Sequence, residues 1–285
     1  MIYISSSCVK ANKIKDSVLE LARNGFRNIE LSGGTKPYPD LVNDLLKLKD
    51  EYKLNYLCHN YFPPPKKPFV LNLASLNDDI YNMSLTHLIS SIELSHKLGA
   101  KKFGFHAGFL INIPISQIGN SIKNQNLFNR TEAINRFKNG VSELINASNK
   151  FGVNLYIENN VLSRTNYENF NSIDPFLFTA SETLNEILLE GVKPLIDFAH
   201  LKVSCNVLQL DLKKELNKLI NKTDYIHLSD NNGLTDQNKE ITTSSEIFDF
   251  IPPSDFKGKD ITLEIYDSLD IIKESFTNVK NHIEK

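Results

Sequence analysis

The chain has few of the residues that crosslink secreted proteins and no long hydrophobic run. Its three cysteines in 285 residues are far apart and odd in number, which argues against a disulfide framework and against a cysteine-based zinc site. The longest apolar stretches have the length of a strand, and the start, MIYISSS, lacks the basic and long apolar parts of a signal peptide. We therefore expect a cytoplasmic protein without a membrane span, in which Cys8, Cys58 and Cys205 serve packing.

An excess of charge of one sign is also missing. The chain carries 32 basic and 34 acidic residues, a net charge of −2, without a run of like charge. Proteins that bind nucleic acid usually show a basic patch, so the balance argues against such a partner. A patch assembled in the fold from separated residues such as Lys36, Lys66 and Arg164 would escape this count. The composition predicts no particular oligomeric state.

Apolar runs of strand length alternate with helical patterns along the whole chain. The predicted strands are Met1–Ser5, Asn28–Leu31, Leu54–Cys58, Lys102–Phe105, Val153–Ile157, Pro194–Ile196, Tyr225–Leu228 and Ile261–Leu263. Eight strand–helix units in 285 residues fit one (β/α)₈ barrel, which usually takes about 250 residues plus insertions. We predict an α/β protein that is a single TIM barrel over residues 1–285, with no second domain.

Two loops of this barrel are predicted to be unusually long. They span about Gly108–Arg130 and Asn160–Ala180 and follow the fourth and fifth strands. Long loops without secondary structure in compact domains are often lids or binding loops. Their large side chains are Phe109, Leu110, Tyr167, Phe170, Phe176 and Phe178. Two interpretations stay open: these side chains anchor the loops on the barrel, or they cover a bound substrate.

Acidic or imidazole side chains recur where the predicted strands end. They are Glu30, His59, His106, Glu158, Asp197, His200, His227 and Glu264. All strand carboxyl ends of a parallel barrel open onto one face, and TIM-barrel enzymes carry their chemistry there. The other three histidines, His87, His96 and His282, lie in helical patterns. A single histidine often has only a structural role, but the joint pattern predicts a functional site on this face.

Four of these residues form a candidate metal site. Glu158, Asp197, His227 and Glu264 each follow one of the last four strands, and unpaired carboxylates would repel one another in a partly buried mouth unless a cation held them. Three carboxylates and one imidazole suit Mn²⁺, Mg²⁺ or Co²⁺ better than a thiolate-type zinc site, although Zn²⁺ stays a candidate.

The remaining strand-end residues have two possible roles. His59 and His106 could bind a second metal ion or donate hydrogen bonds to substrate hydroxyls. His200 follows Asp197 by three residues, so both face the mouth if the chain turns there. We expect His59, His106, His200 and Glu30 to bind the substrate.

Several short segments resemble the xylose isomerase-like TIM barrel superfamily. The segments are Cys58-His59-Asn60, Leu71-Asn72-Leu73-Ala74-Ser75, Leu98-Gly99-Ala100, His106-Ala107-Gly108, Ile157-Glu158-Asn159-Asn160, Asp197-Phe198-Ala199-His200 and His227-Leu228-Ser229-Asp230-Asn231-Asn232-Gly233. Each is weak alone, but their order and spacing extend the resemblance over nearly the whole chain. The superfamily contains sugar and sugar-phosphate isomerases and epimerases, and also endonuclease IV, which cuts DNA at abasic sites.

The two branches imply different ligand sets. Resemblance to the isomerases and epimerases implies one divalent ion held by Glu158, Asp197, His227 and Glu264, with His200 contacting the substrate. Resemblance to endonuclease IV implies that His59, His106 and His200 join those four residues around three zinc ions. That cluster also needs an Asp-x-His sequence after the seventh strand. Here Asp236-Gln237-Asn238 has an amide in place of the imidazole, which is a poor zinc ligand.

The preferred prediction is therefore a divalent-metal-dependent isomerase or epimerase of a sugar or sugar phosphate. A proton next to a carbonyl is too weakly acidic for a free carboxylate, but a cation on the adjacent oxygens stabilises the enediolate. Glu158 and Glu264 are the expected acid/bases, one removing the proton and the other returning it. The alternatives are a phosphodiesterase like endonuclease IV acting on abasic DNA, a lyase, and a non-catalytic member that binds through the same rim.

Overall fold

Eight parallel strands close into one barrel in the computed structural model, which describes residues 1–285. The strands are β1 (Ile2–Ser5), β2 (Asn28–Leu31), β3 (Asn55–His59), β4 (Lys102–His106), β5 (Asn154–Glu158), β6 (Val192–Asp197), β7 (Tyr225–Leu228) and β8 (Asp260–Leu263). Each strand pairs with the next, and β8 pairs with β1 in the register Ile2 with Ile261. The predicted α/β fold, a (β/α)₈ TIM barrel, is confirmed.

Eleven α-helices connect and flank the strands. They are α1 (Ile14–Arg23), α2 (Leu41–Tyr52), α3 (Asp78–Lys97), α4 (Arg130–Phe151), α5 (Arg164–Asn169), α6 (Ser181–Ile187), α7 (Phe198–Leu208), α8 (Leu212–Leu219), α9 (Ile247–Phe250), α10 (Pro253–Phe256) and α11 (Leu269–Ile283). No helix combines the length and the apolar character needed to cross a membrane.

The two longest helices show how the sequence sets their ends. Asn77 precedes α3, and its side-chain oxygen accepts hydrogen bonds from the amides of Asp79 and Ile80 at 2.9 and 3.1 Å. Asn129 caps α4 in the same way, accepting from the amide of Glu132 at 3.1 Å. Gly152 ends α4 in the left-handed region at φ 64°, where a residue without Cβ is favoured. These caps provide acceptors for amides that have no partner within the helix.

A small layer of buried side chains fills the barrel beneath the candidate site. Its members are Tyr3, Leu57, Tyr156, Leu195 and Tyr225. Side chains alternate between the two faces of a strand, so residues two positions apart point the same way. Four members of the layer precede a candidate site residue by two positions, as Tyr225 precedes His227. The polar groups at the carboxyl face of the barrel therefore lie directly above a layer of leucine and tyrosine side chains.

The two long rim loops are more ordered than predicted. The second loop contains α5, and the first contains a short 3₁₀ turn at Ile115–Gln117. The side chains of Leu110, Phe170, Phe176 and Phe178 are at most 4% exposed. This burial supports the anchoring interpretation over a cover for substrate.

Helix α7 directly follows β6, and its sequence hides the helical period. Eight of its 11 residues are buried, so apolar side chains occur on all sides of the helix. A strand-length apolar run and a fully buried helix segment look alike in sequence. The turn expected after Asp197 is the first turn of this helix.

Two buried asparagines tie the rim loops to the barrel. The Asn160 side chain donates to the carbonyl oxygens of Ala107 and Leu177 at 2.9 and 2.8 Å. The Asn72 side chain donates to the Phe109 carbonyl at 2.9 Å and accepts from the Phe109 amide at 3.0 Å. The amides satisfy loop backbone groups that are closed off from water.

We predict that Asn160→Ala lowers the free energy of unfolding by about 2–3 kcal/mol, because it leaves buried carbonyl groups without donors. Urea unfolding measures the change. Asn120→Ala is the matched control, because the Asn120 side chain makes a single exposed contact with the Ile118 carbonyl. Equal stabilities for the two variants would contradict the assigned role of Asn160.

Candidate metal centre and active site

The predicted strand-end residues come together at the carboxyl face of the barrel. His59, His106, Glu158 and Asp197 are the last residues of their strands, His227 is one residue from the end of β7, and Glu264 directly follows β8. The register of the parallel strands places some of these residues side by side. His106 on β4 pairs with Glu158 on β5, and Asp197 on β6 pairs with His227 on β7. The barrel geometry therefore gathers residues that are far apart in sequence.

His227 occupies the middle of this group and is fully buried. Its Nε2 atom lies 2.9 Å from Oε2 of Glu30. Its Nδ1 atom lies 3.3 Å from Oε1 of Glu158 and 3.8 Å from Oε2 of Glu264. Burial tends to lower the pKa of His227, but Glu30, Glu264 and Glu158 raise it well above its usual value. Nε2 is directed at Glu30 and Nδ1 at the other two carboxylates, so Nδ1 could bind a cation after losing its proton.

Glu30 lies below His227 and is fully buried. Besides His227, its Oε2 atom accepts hydrogen bonds from the Tyr225 hydroxyl and from the Thr262 hydroxyl, the latter at 2.9 Å. This placement favours a role in orienting His227 over the substrate contact expected for Glu30. Sequence reasoning missed Tyr225 and Thr262. The two-residue alternation could have found them, since they precede His227 and Glu264 by two positions.

Glu158 is surrounded by imidazoles. Its Oε2 atom lies 2.7 Å from Nε2 of His59 and 3.1 Å from Nδ1 of His106. Burial alone would raise the pKa of Glu158, but His106, His59 and His227 outweigh it and hold that pKa well below its usual value. Burial lowers the pKa of His106 to about 4, and Glu158 opposes this effect.

A glycine in β4 makes room for His59. A Cβ atom on Gly104 would lie 2.7 Å from Cδ2 of His59 and 3.0 Å from a methyl group of Leu195. Real side chains do not tolerate the shorter of these contacts, so any larger residue would displace the His59 ring from Glu158. The small residue at this strand position is therefore part of the site.

Asp197 and His200 form the third part of the site. The Asp197 side chain caps α7 by accepting from the His200 amide at 2.8 Å. Asn159 supports both residues: its side chain accepts from the Asp197 amide at 2.8 Å, and its carbonyl oxygen lies 2.9 Å from Nδ1 of His200. Burial raises the pKa of Asp197 to about 6.

Asp236 is a site residue that the predicted set did not include. Its Oδ2 atom lies 3.3 Å from Nε2 of His200. Burial tends to lower the pKa of His200, but Asp197 and Asp236 raise it well above the usual value. The Asp236-Gln237-Asn238 segment was the available sequence signal. Asn238 itself uses its side-chain amide to donate to the Glu264 carbonyl at 3.2 Å.

The donor groups fit a divalent cation. Three overlapping groups each offer ligand atoms within 4.8 Å of one another: His59, Glu158 and His227; Glu30, His227 and Glu264; Glu158, Asp197 and His200. Oε1 of Glu158 and Nδ1 of His227 are buried without a hydrogen-bond partner. Carboxylate and imidazole donors suit Mn²⁺, Co²⁺ or Zn²⁺, and the carboxylates also suit Mg²⁺. The four predicted ligands do not all occur in one group. Glu158 and His227 are together in the first group, Glu264 is in the second and Asp197 is in the third.

A cavity of about 590 Å³ opens beside this centre. Among its lining residues are His59, His106, Asn60, Glu264 and Tyr266. Burial raises the pKa of Glu264 to about 7, although its side chain remains 13% exposed. The volume lies in the usual range for small-molecule sites. A ligand in this cavity would therefore be within reach of the Glu264 carboxyl group.

Proteins of known structure share this architecture. A D-tagatose 3-epimerase-like protein superposes with a TM-score of 0.76 at 19% identity, over 99% of this chain and 97% of that one. D-psicose 3-epimerase from Clostridium cellulolyticum H10 gives a TM-score of 0.67 at 13% identity, over 99% of both chains. At these identities the likeness shows the fold alone.

Sequence comparison extends the relationship. An uncharacterized protein of Methanocaldococcus jannaschii is 25% identical over 236 residues, which cover 82% of this chain and 78% of that protein. The profile of the family described as xylose isomerase-like TIM barrel matches residues 18–282. This chain belongs to the xylose isomerase-like TIM barrel family.

Proposed function

We propose that the protein is a divalent-metal-dependent isomerase or epimerase of a sugar or sugar phosphate. The observation that carries the proposal is the position of Glu264. Its carboxyl group lines the cavity and lies 3.8 Å from Nδ1 of His227. A carboxylate in this position can reach both a bound ligand and the candidate metal site, as proton removal next to a carbonyl requires. The names of the structural neighbours, which include sugar 3-epimerases, support the same class of reaction.

Glu158, Asp197, His227 and Glu264 would hold the ion in this proposal. When bound, a divalent ion draws electron density from the oxygens next to the reacting carbon and lowers the cost of removing its proton. Glu30 orients His227 through its contact with Nε2, so Nδ1 would be the atom that binds the ion. The buried carboxylates, which would otherwise repel one another, would then be compensated.

In this proposal Glu264 removes the proton from the substrate carbon and Glu158 supplies the proton that is returned. Glu264 faces the cavity and removes the proton from the substrate carbon. Glu158 is only 1% exposed, but its Oε2 atom contacts His59 and His106, and His106 is 28% exposed at the cavity. Protons can thus be exchanged between Glu158 and the cavity through these imidazoles. Return of the proton to the opposite face of the same carbon gives epimerisation, and transfer to the neighbouring carbon gives isomerisation.

A second candidate is a metal-dependent phosphodiesterase like endonuclease IV acting on abasic DNA. The specific observation in its favour is the contact of His59 and His106 with Glu158 and of Asp236 with His200, which adds donors for further ions. Asn238 argues against it, because its amide is already used on a backbone carbonyl and offers no imidazole. We therefore rank it second.

The proposal predicts exchange of a substrate proton with solvent. Incubation in D₂O with a panel of ketoses and their phosphates should put deuterium on carbon next to the carbonyl, since a carboxylic acid exchanges with solvent before it returns its proton. Mass spectrometry and NMR detect the label. Cleavage of an abasic duplex without exchange into any sugar would favour the second candidate instead.

Glu264→Gln should reduce turnover by about 10²–10⁴-fold, because the amide keeps the shape of the side chain but cannot take up a proton. Steady-state kinetics give the change, and circular dichroism checks the fold. Glu274→Gln, an exposed site on α11, is the matched control and should leave turnover unchanged. Near wild-type activity of the Glu264 variant would show that another group removes the proton.

Removal of metal should abolish activity and lower the melting temperature, because the buried carboxylates lose their counter-ion. Mn²⁺, Co²⁺ or Mg²⁺ at about 100 times its dissociation constant should restore about 2.7 kcal/mol of stability. Differential scanning calorimetry and assays with and without a chelator measure both effects. Full activity in a preparation that elemental analysis finds free of metal is incompatible with the proposal.

Glu30→Gln should weaken metal affinity by about 10–100-fold, because the amide no longer fixes the His227 tautomer as strongly. Competition with a fluorescent chelator measures the affinity. A substrate-binding role for Glu30 would have the opposite signature: a higher KM at saturating metal with unchanged metal affinity.

A further inference from the structure

The cavity beside the metal centre has a second set of lining residues that the proposed reaction does not use. Two loops contribute them, one after β1 and one after β2. They include Ser7, Lys10, Ser32, Gly33, Gly34 and Thr35. This part of the cavity can therefore hold a portion of the ligand away from the reacting carbon.

The loop after β2 presents hydrogen-bond donors without protein acceptors. The amides that flank it are paired: that of Ser32 donates to the Ser6 hydroxyl at 2.9 Å, and that of Lys36 donates to the Asn12 carbonyl at 2.8 Å. The three successive amides between them, of residues 33–35, donate to no protein group. The Thr35 hydroxyl is likewise buried without a partner. Successive free amides in a turn are a common way to bind an anion.

Charge favours the same kind of ligand. Lys10 is the one lysine or arginine that lines the cavity, and no carboxylate lies within 4.0 Å of its ammonium group. Glu264 is the one carboxylate in the lining, and it belongs to the metal centre. The backbone reaches this arrangement through Gly34 at φ 91°, a conformation that side chains with a Cβ rarely adopt. An anionic group here would meet a lysine and several unpaired donors.

We propose that Lys10 and the Ser32–Thr35 loop form an oxyanion subsite that binds a phosphate or carboxylate group of the substrate. The subsite deepens the proposed function, since it makes the substrate an acidic sugar derivative. Asn60 lines the same cavity, and its Oδ1 atom receives no hydrogen bond from the protein.

The test measures binding of inorganic phosphate to the metal-loaded and to the chelator-treated protein by isothermal titration calorimetry. We expect binding to persist after chelation, because the subsite is made of protein donors. Lys10→Met and Thr35→Val should each weaken it by about 10–100-fold, the loss of one charge-assisted hydrogen bond. Lys36→Met, an exposed lysine next to the loop and outside the cavity lining, is the matched control and should bind phosphate like the wild type.

Thr35→Val also separates a ligand role from a structural one. The Thr35 hydroxyl has no partner in the free protein, so the variant should unfold at the same urea concentration as the wild type while binding phosphate more weakly. Unchanged phosphate affinity in Lys10→Met and Thr35→Val, or phosphate binding that disappears on chelation, would overturn the subsite.

The two sources of the anion are distinguished by competition with ribose 5-phosphate, glucuronate and uncharged ribose. Tighter binding of the phosphate ester identifies a sugar phosphate, and tighter binding of glucuronate identifies a sugar acid. Equal binding of all three would contradict the proposal. These measurements need no turnover, so the subsite can stand or fail independently of the isomerase or epimerase reaction.

Discussion

The hydrogen bond between Glu30 and His227 is the contact on which the site depends. It lies in the middle of the barrel, 2.9 Å long, between two side chains that are fully buried. A buried charged group is costly unless donors or a counter-ion compensate it, and Glu30 receives further hydrogen bonds from Tyr225 and Thr262. With Nε2 held in this way, Nδ1 of His227 faces Glu158 and Glu264.

The remaining donors are placed by the same barrel geometry. A layer of large buried side chains fills the barrel interior directly beneath the site residues. Its members are Tyr3, Leu57, Tyr156, Leu195 and Tyr225. Glycine at position 104 lets the His59 ring reach Glu158, and Asn159 holds both Asp197 and His200. The polar centre is thus rigidly supported from below and from its sides, as preorganised metal sites require. Asn72 and Asn160 tie the two rim loops to the barrel beside this centre.

The fold, and the grouping of strand-end residues on one face of the barrel, could be predicted from the sequence. Short apolar runs alternating with helical patterns predicted the strands, and the rule that parallel strands end on one face grouped Glu158 with His227. The role of Glu30 could not be predicted, because its depth beneath His227 depends on the barrel's curvature and side-chain packing. Asp236 was missed because a loop, with no periodic pattern, carries it to His200. The helical period of α7 is hard to see in the sequence because eight of its 11 residues are buried.

The most direct test of this account is a crystal structure of the protein grown with Mn²⁺ or Zn²⁺, with diffraction recorded above the absorption edge of the metal. The account predicts an anomalous peak about 2.0–2.2 Å from Nδ1 of His227, with Nε2 still bonded to Glu30 and carboxylate oxygens of Glu158 and Glu264 in the coordination sphere. A flipped His227 ring with Nδ1 on Glu30, or an ordered ion bound only outside this group, would contradict it.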